Sequence, residues 1–164
     1  MRSMNGTRAK SILAGAIGGL AASYVMNQFQ SLWAKVAKEP PQESSGEDAT
    51  VKTAEAISKC LLHHELTDAQ KKWAGPAVHY AYGTIVGAVY GALAETVPAA
   101  KAGCGAAYGA AVWLAGDEIA VSALGLSQPP SQTPPVSHAK ALASHLVYGV
   151  TTDLARQAIL HIED

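Results

Sequence analysis

Two long uncharged stretches dominate the hydrophobic pattern of the chain. The first runs from Ser11 to Ala34. The second runs from Trp73 to Ala94, and His79 is the one residue in it that gains a charge near neutral pH. A bilayer core of about 30 Å requires roughly 20 apolar residues in a helix, so each stretch is long enough to cross it. A helix on the surface of a soluble protein carries charges on its solvent face, and the first stretch has none. The pattern therefore predicts two transmembrane helices, at about residues 9–34 and 73–95.

The second half of the chain contains two further apolar segments. One covers about residues 101–126 and includes Asp117 and Glu118, and the other covers about residues 138–162. The prolines between them, in residues 127–136, predict a loop, because proline lacks the amide hydrogen that a helix needs. We therefore expect an all-α fold, a four-helix transmembrane bundle in a single membrane domain, residues 1–164.

A polar segment, residues 35–72, separates the first two apolar stretches. Within it, Ala54, Ile57 and Leu61 recur at helical spacing opposite Lys52 and Glu55. Such a pattern is typical of an amphipathic helix that lies on a membrane surface. We predict this helix at about residues 50–64.

Composition leaves a second interpretation open. The hydrophobic fraction is 49% and the mean hydropathy is only +0.10, because alanine rather than leucine supplies much of the apolar content. A soluble, alanine-rich helical bundle is therefore the alternative to a membrane protein. The net charge of −1 argues against a nucleic-acid surface, for which a basic stripe is expected. The expected partner is a lipid bilayer.

Small residues recur at intervals of four along the apolar segments. This spacing lets helix backbones approach closely and gain packing contacts that lipid does not supply. It also makes a homo-oligomer or a place in a larger membrane complex plausible. The glycines expected to pack helices are Gly15, Gly19, Gly83, Gly87, Gly91, Gly105 and Gly109.

A short motif occurs twice. The sequence His79-x-x-Tyr82-Gly83 in the second predicted helix is repeated as His145-x-x-Tyr148-Gly149 in the fourth. The match indicates that the chain consists of two related helical hairpins. In each motif the three residues share one helix face, which we expect to point inward because a lipid-facing histidine is costly.

Ionisable residues within the apolar segments are the candidate functional residues. They allow two interpretations, a hydrogen-bonded network that fixes helix register and a cluster that takes up protons. The set consists of His79, Asp117, Glu118, His145, Asp153 and Arg156. We predict no catalytic residue and no metal site, since the Glu-x-x-His pairs of di-iron bundles are missing, and an enzyme is therefore the less favoured class. We also predict no cofactor, although haem b between His79 and His145 is the alternative.

The second half of the chain resembles the YagU-like bacterial inner-membrane proteins, a family without an established activity. The resemblance covers about residues 75–159 and rests on Ala94-Glu95-Thr96-Val97-Pro98, Gly125-Leu126-x-x-Pro129-Pro130, Ser144-His145-Leu146-Val147 and Asp153-Leu154-Ala155-Arg156. The chain departs from the family pattern in its long polar first loop and in Asp117 and Glu118. The resemblance implies a multi-pass protein of the bacterial inner membrane that is linked to acid tolerance. We accordingly expect an acid-response protein or an accessory subunit of a membrane complex.

Overall fold

The computed structural model describes residues 4–38 and 49–162, and these residues form helices and turns without any β-strand. The helices are α1 (Met4–Val36), α2 (Ala49–Ile57), α3 (Asp68–Ala94), α4 (Ala106–Val112) and α5 (Pro135–Ile162). Helix α2 continues as a π-helical turn, Ser58–Leu62, and α4 continues as a π-helical segment, Trp113–Val121. Short 3₁₀ turns lie at Pro98–Lys101 and Pro130–Gln132. The predicted all-α class is confirmed.

Among the helix starts that differ from the sequence prediction, those of α3 and α4 have a local cause. Helix α3 begins at Asp68 rather than near residue 73, because Thr67 and Gln70 form a capping box in which each side chain accepts the other residue's amide hydrogen. Helix α4 begins at Ala106 rather than near residue 101, because Gly103 and Gly105 adopt positive φ angles of 62° and 88°. These left-handed residues make a turn that a regular helix does not contain.

Helix α1 is the central element of the packing. It lies along α3 on one side and along α5 on the other, and α4 packs against α5. The hydroxyl of Tyr108 on α4 donates a hydrogen bond to the carbonyl oxygen of Val86 on α3, at 2.7 Å. Beyond this bond, α3 and the π-helical segment barely touch, so the helices separate at one end of the molecule.

Glycine lies at the closest helix contacts. A Cβ atom built on Gly87 of α3 would be 2.7 Å from the Cα atom of Gly19 on α1, and one built on Gly149 of α5 would be 3.0 Å from the Cα atom of Gly109 on α4. Side chains do not fit at such distances, so the helices touch backbone to backbone. Six of the glycines that the spacing singled out lie at a contact of this kind, and the seventh, Gly83, lies against the Ser23 side chain; the six are Gly15, Gly19, Gly87, Gly91, Gly105 and Gly109.

Helix α1 is also the candidate membrane span. Residues Gly6–Val36 number 31, and an 18-residue stretch within them has a mean hydropathy of 1.3, so the helix is long and apolar enough to cross a bilayer. Within the described part of the chain, no other helix meets this criterion, so the structure gives one candidate span where the sequence predicts four. One such helix is weak support for a membrane location, because the core helix of a soluble protein has a similar composition.

The amphipathic helix of the polar segment covers nearly the predicted range. Helix α2 and its π-helical turn together cover residues 49–62, and Glu55 of α2 forms a 2.8 Å ion pair with Lys71 of α3. Ala54 is buried, but Ile57 and Leu61 of the predicted apolar face remain exposed. Polar and apolar residues of α2 both face α3, since a Cβ atom built on Gly75 would lie 2.8 Å from Val51 Cγ2. Residues 39–48, which belong to the predicted polar segment, lie outside the described residues.

Candidate functional site

A cavity of about 720 Å³ opens where the helices separate. Its walls are the second half of α1, the first half of α3, the π-helical segment and the start of α5, and α2 and the proline-rich loop also line it. Most of the surface that the cavity exposes is apolar. The titratable groups at its surface, apart from tyrosine hydroxyls, are His79, Asp117, Glu118, His138 and His145.

The π-helical segment places two adjacent carboxylates at this cavity. Glu118 Oε1 lies 2.6 Å from His138 Nδ1, and Asp117 Oδ2 lies 3.7 Å from His145 Nδ1. Segments of π-helix are rare and occur frequently at functional sites, because their extra residue per turn changes where side chains point. Here the segment directs consecutive carboxylates toward two histidines on α5.

His138 has acceptors at both ring nitrogens. Besides the bond between its Nδ1 atom and Glu118, its Nε2 atom lies 3.1 Å from the carbonyl oxygen of Pro130. The hydrogen bond to Glu118, followed by the one to Pro130, raises the pKa of His138 above its ordinary value of 6.5. His138 precedes the uncharged part of α5, which begins at Ala141.

The two histidines predicted from the sequence occupy different surroundings. His145 is buried, and its Nδ1 atom lies 2.9 Å from the carbonyl oxygen of Ala141. This bond orients the ring with a hydrogen on Nδ1, which leaves Nε2 as an acceptor when the ring is neutral. His79 lies in part at the surface, but its Nε2 atom is buried and has no hydrogen-bond partner among the described residues. A buried nitrogen without a partner is costly, so a water or ligand atom is expected beside it.

Asp153 and Arg156 do not reach this cavity. They lie at the opposite end, in what we call the arginine network: Ser11, Glu95, Asp153 and Arg156. Arg156 Nε donates a 2.9 Å hydrogen bond to Ser11 Oγ, and Arg156 also forms an ion pair with Glu95. Arg156 is therefore paired at the end of the molecule away from Asp117 and Glu118. His145 and Asp153 share a face of α5, but eight residues of helix separate them by about 12 Å.

The network is closed by further contacts. Ser11 Oγ donates a 2.6 Å hydrogen bond to the carbonyl oxygen of Gly91, so a polar bond reinforces the α1–α3 contact. Asp153 is 1% exposed and its Oδ1 atom lies 4.0 Å from Arg156 Nη1. Gln157 donates a 2.8 Å hydrogen bond to Asp153 Oδ2. Asp153 Oδ1 is buried without a hydrogen-bond partner among the described residues, so the cluster is packed but its hydrogen bonding is incomplete.

Sequence reasoning missed His138 and Glu95. His138 lies at the predicted start of the last helix, directly after the proline-rich loop, and the predicted site residues do not include it. The signal that could have found it is Pro135, because proline is favoured at the first position of a helix and α5 begins there. With the start placed at Pro135, His138 falls in the first turn, on the same side of the helix as Ala141 and His145.

The donor sets at the cavity are pairs. Among the described residues, no group of three or more histidine, cysteine, aspartate and glutamate side chains is arranged to hold a metal ion. The chemistry that this arrangement supports is proton exchange between imidazole and carboxylate, inside a largely apolar cavity.

The fold and site define a class, an all-helical protein with one candidate membrane span and an internal cavity lined by histidines and carboxylates. The family described as "Protein of unknown function (DUF1440)" matches residues 34–154. The chain belongs to this family. The match includes α2 to α4, most of α5 and the titratable residues of the cavity, whereas α1 lies almost entirely before it. Neither the curated proteins nor the solved structures gave a match.

Proposed function

We propose that the chain is a multi-pass protein of the bacterial inner membrane, of the YagU-like type within its family. We further propose that protons reaching its cavity titrate a histidine–carboxylate cluster, through which the protein acts in acid response, alone or as an accessory subunit. One observation carries the proposal. His79 of α3, Asp117 and Glu118 of the π-helical segment, and His145 of α5 all line one cavity.

The distribution of side chains on α1 supports a membrane location. Large apolar residues point outward, with Leu13 at 64% exposure and Tyr24 at 58%, whereas Ser11, Ala14 and Ser23 are buried. A soluble protein places its large apolar side chains inside. Membrane helices do the reverse, since lipid solvates large apolar side chains while small and polar residues pack between helices.

Helices α3 and α5 show the same distribution, which supports more than one span. On α3, Ile85 and Val89 are exposed while Gly83 and Gly87 are buried. On α5 the buried face is largely polar, because it contains Ser144, His145, Thr152, Asp153 and Arg156. Ionisable residues within membrane helices face the protein interior, as they do here.

The pairing of imidazole with carboxylate supports a role in proton uptake. Histidine changes charge near physiological pH, and a neighbouring carboxylate favours its protonated form. Protonation adds a positive charge inside a largely apolar cavity, so it alters the balance of forces between α5 and the π-helical segment. A change of external pH thereby becomes a change of helix packing.

The test is the double variant His79→Gln, His145→Gln, with His161→Gln as the matched control because His161 is exposed in the last turn of α5. We expect the double variant to remain in the membrane fraction with wild-type helix content by circular dichroism. It should lose acid survival and the pH dependence of tryptophan fluorescence, since Trp113 begins the π-helical segment. The control should keep both. Unchanged acid survival and fluorescence in the double variant would contradict the proton role, and recovery of wild-type protein in the soluble fraction would contradict the membrane location.

A second candidate function is haem binding by His79 and His145. Both line the same cavity, and the unpartnered Nε2 atom of His79 favours it. Haem ligated there would supply one-electron redox chemistry. Titration of the purified protein with haemin tests the idea. A Soret band that saturates with wild-type protein and is lost in His79→Ala supports it, whereas identical spectra for the two proteins exclude it.

A further inference from the structure

We propose that His138 is a pH-dependent latch that holds the proline-rich loop, which the structure places at residues 124–134, against the cavity. The inference rests on the proposed function, because it assigns a gate to the same cavity. The loop contributes Leu124, Leu126, Gln128, Pro130 and Thr133 to the cavity lining. A movement of the loop would therefore change access to the histidines inside.

The two contacts of the His138 ring carry the argument. Its Nδ1 atom faces a carboxylate oxygen of Glu118 at 2.6 Å, and its Nε2 atom faces the carbonyl oxygen of Pro130 at 3.1 Å. Neither oxygen is a donor when Glu118 is ionised, so both ring nitrogens must donate. Only the imidazolium form carries hydrogens on both nitrogens. Neutral His138 keeps one bond and turns a lone pair toward the other oxygen.

The His138 ring joins three elements of the structure. It belongs to the first turn of α5, while Glu118 lies in the π-helical segment and Pro130 lies in the loop. Other loop hydrogen bonds are local, for example from Ser127 to Gln128 and from Thr133 to Pro129. The bond to Pro130 thus ties the loop to the helix that forms the cavity wall.

Among the charged and titratable groups around His138, Glu118 has the strongest influence on its protonation. Glu118 is the carboxylate in contact with its ring, and Asp117 is the other carboxylate of the π-helical segment. Helix α5 adds Lys140 and His145, and α3 adds His79. The loop has no charged residue, and α1 and α2 line the cavity with uncharged side chains such as Asn27, Gln30 and Thr50.

The direction of the switch follows from these contacts. At low pH the imidazolium holds both oxygens, and the loop is closed. As the pH rises through the pKa of His138, which Glu118 holds above 6.5, one proton leaves and one contact is lost. The loop then opens. The device therefore holds the loop against the cavity in acid and releases it as the pH rises through the raised pKa of His138.

Pulsed electron paramagnetic resonance on the full chain in detergent tests the latch. Cys60 and Cys104 are replaced by serine, and spin labels are attached at Ser131→Cys in the loop and Ala81→Cys on α3, both exposed positions. We expect one narrow distance distribution at about pH 5.5 and a broader, longer one at about pH 9, with a midpoint above the usual histidine value of about 6.5. Equal distributions at the two pH values would overturn the latch.

Variants separate His138 from the other histidines. His138→Gln should give the broad distribution at every pH, because glutamine does not become a cation. Glu118→Gln should move the midpoint to lower pH, since the carboxylate that favours the imidazolium is gone. The matched control His161→Gln should behave as wild type. Persistence of the full pH response in His138→Gln would overturn the proposal.

The same labels distinguish this inference from the proposed function. The His79→Gln, His145→Gln double variant should keep the pH-dependent distance, because neither residue contacts His138 in the hydrogen bonds described. Normal acid survival of that double variant contradicts the proposed function while leaving the latch intact. A pH-independent distance in the wild type contradicts the latch while leaving the cluster untouched.

Discussion

The two ends of the molecule treat ionisable side chains in opposite ways. In the arginine network, Arg156 is 6% exposed, and it pairs with Glu95 and bonds Ser11 where α1 and α3 touch. At the cavity, three histidines and two carboxylates line an open volume of about 720 Å³. The comparison shows the effect of helix separation on these groups. Where the helices touch, ionisable side chains are buried in contacts between helices, and where the helices separate, they line a cavity.

Small residues explain where the separation begins. Between Ser11 and Ser23, α1 presents glycine, alanine and serine to its neighbours, and the backbones meet. After Ser23, the lining residues of α1 are Met26, Asn27 and Gln30, whose side chains need space. On α4 the last close glycine contact is at Gly109, and the π-helical segment follows soon after. The cavity opens where the small residues end.

The largest expected effect on stability comes from removing the positive charge of Arg156 from the arginine network. Arg156→Met should destabilise the protein by about 3–5 kcal/mol, because the buried Asp153 then loses its counter-ion and the more exposed Glu95 loses its ion pair. Urea unfolding in detergent, followed by circular dichroism, measures this. The exposed Lys101→Met serves as control and should change stability little. A loss below about 1 kcal/mol for Arg156→Met would mean that the network is solvated rather than packed.

The glycine contacts provide the second test. Gly87→Leu should cost about 1–3 kcal/mol or more, because its Cβ atom would lie 2.7 Å from the Cα atom of Gly19 and the helices must move apart. Gly6→Leu is the matched control, since a Cβ atom on Gly6 meets nothing within 4 Å. Thermal unfolding of the two variants gives the comparison. Equal stability would show that the α1–α3 contact is looser than described.

The hydrogen bond between Tyr108 and Val86 should contribute less to stability. Tyr108→Phe removes the 2.7 Å hydrogen bond to the Val86 carbonyl oxygen, with an expected cost of about 0.5–1.5 kcal/mol. Since this bond holds α4 to α3 beside the cavity, hydrogen exchange should increase in the π-helical segment and remain unchanged at Arg156. Uniform exchange in both regions would contradict a boundary at Tyr108. The exposed Tyr24→Phe is the matched control.

The smallest effect is a pH dependence confined to the cavity end. Because the folded pKa of His138 is raised above 6.5, its stabilising contribution is complete below the unfolded pKa and is lost as the pH rises through the folded pKa. The stability difference between wild type and His138→Gln should thus be present in acid and vanish at higher pH. Unfolding midpoints measured across this range check the sign. A difference that grows with pH would contradict it.

Much of the fold was accessible from the sequence because its signals are local. Uncharged stretches, prolines and glycine spacing indicate where helices form and where their backbones can meet, and they require no knowledge of distant residues. The Thr67-x-x-Gln70 capping box that moves the start of α3 to Asp68 is visible in the sequence as well. The positive φ of Gly103, which delays α4, depends on how the preceding turn folds.

The partners of the ionisable residues were decided by the tertiary structure. His138 meets Glu118 across 20 positions, and Arg156 meets Glu95 across 61. Helical periodicity predicts the face of the helix on which a side chain lies. It does not predict the position of that side chain along the axis of a neighbouring helix. This axial position is set when the glycine contacts align the helices. The sequence by itself therefore determined that these polar groups point inward, while packing determined that some share a cavity and others close the opposite end.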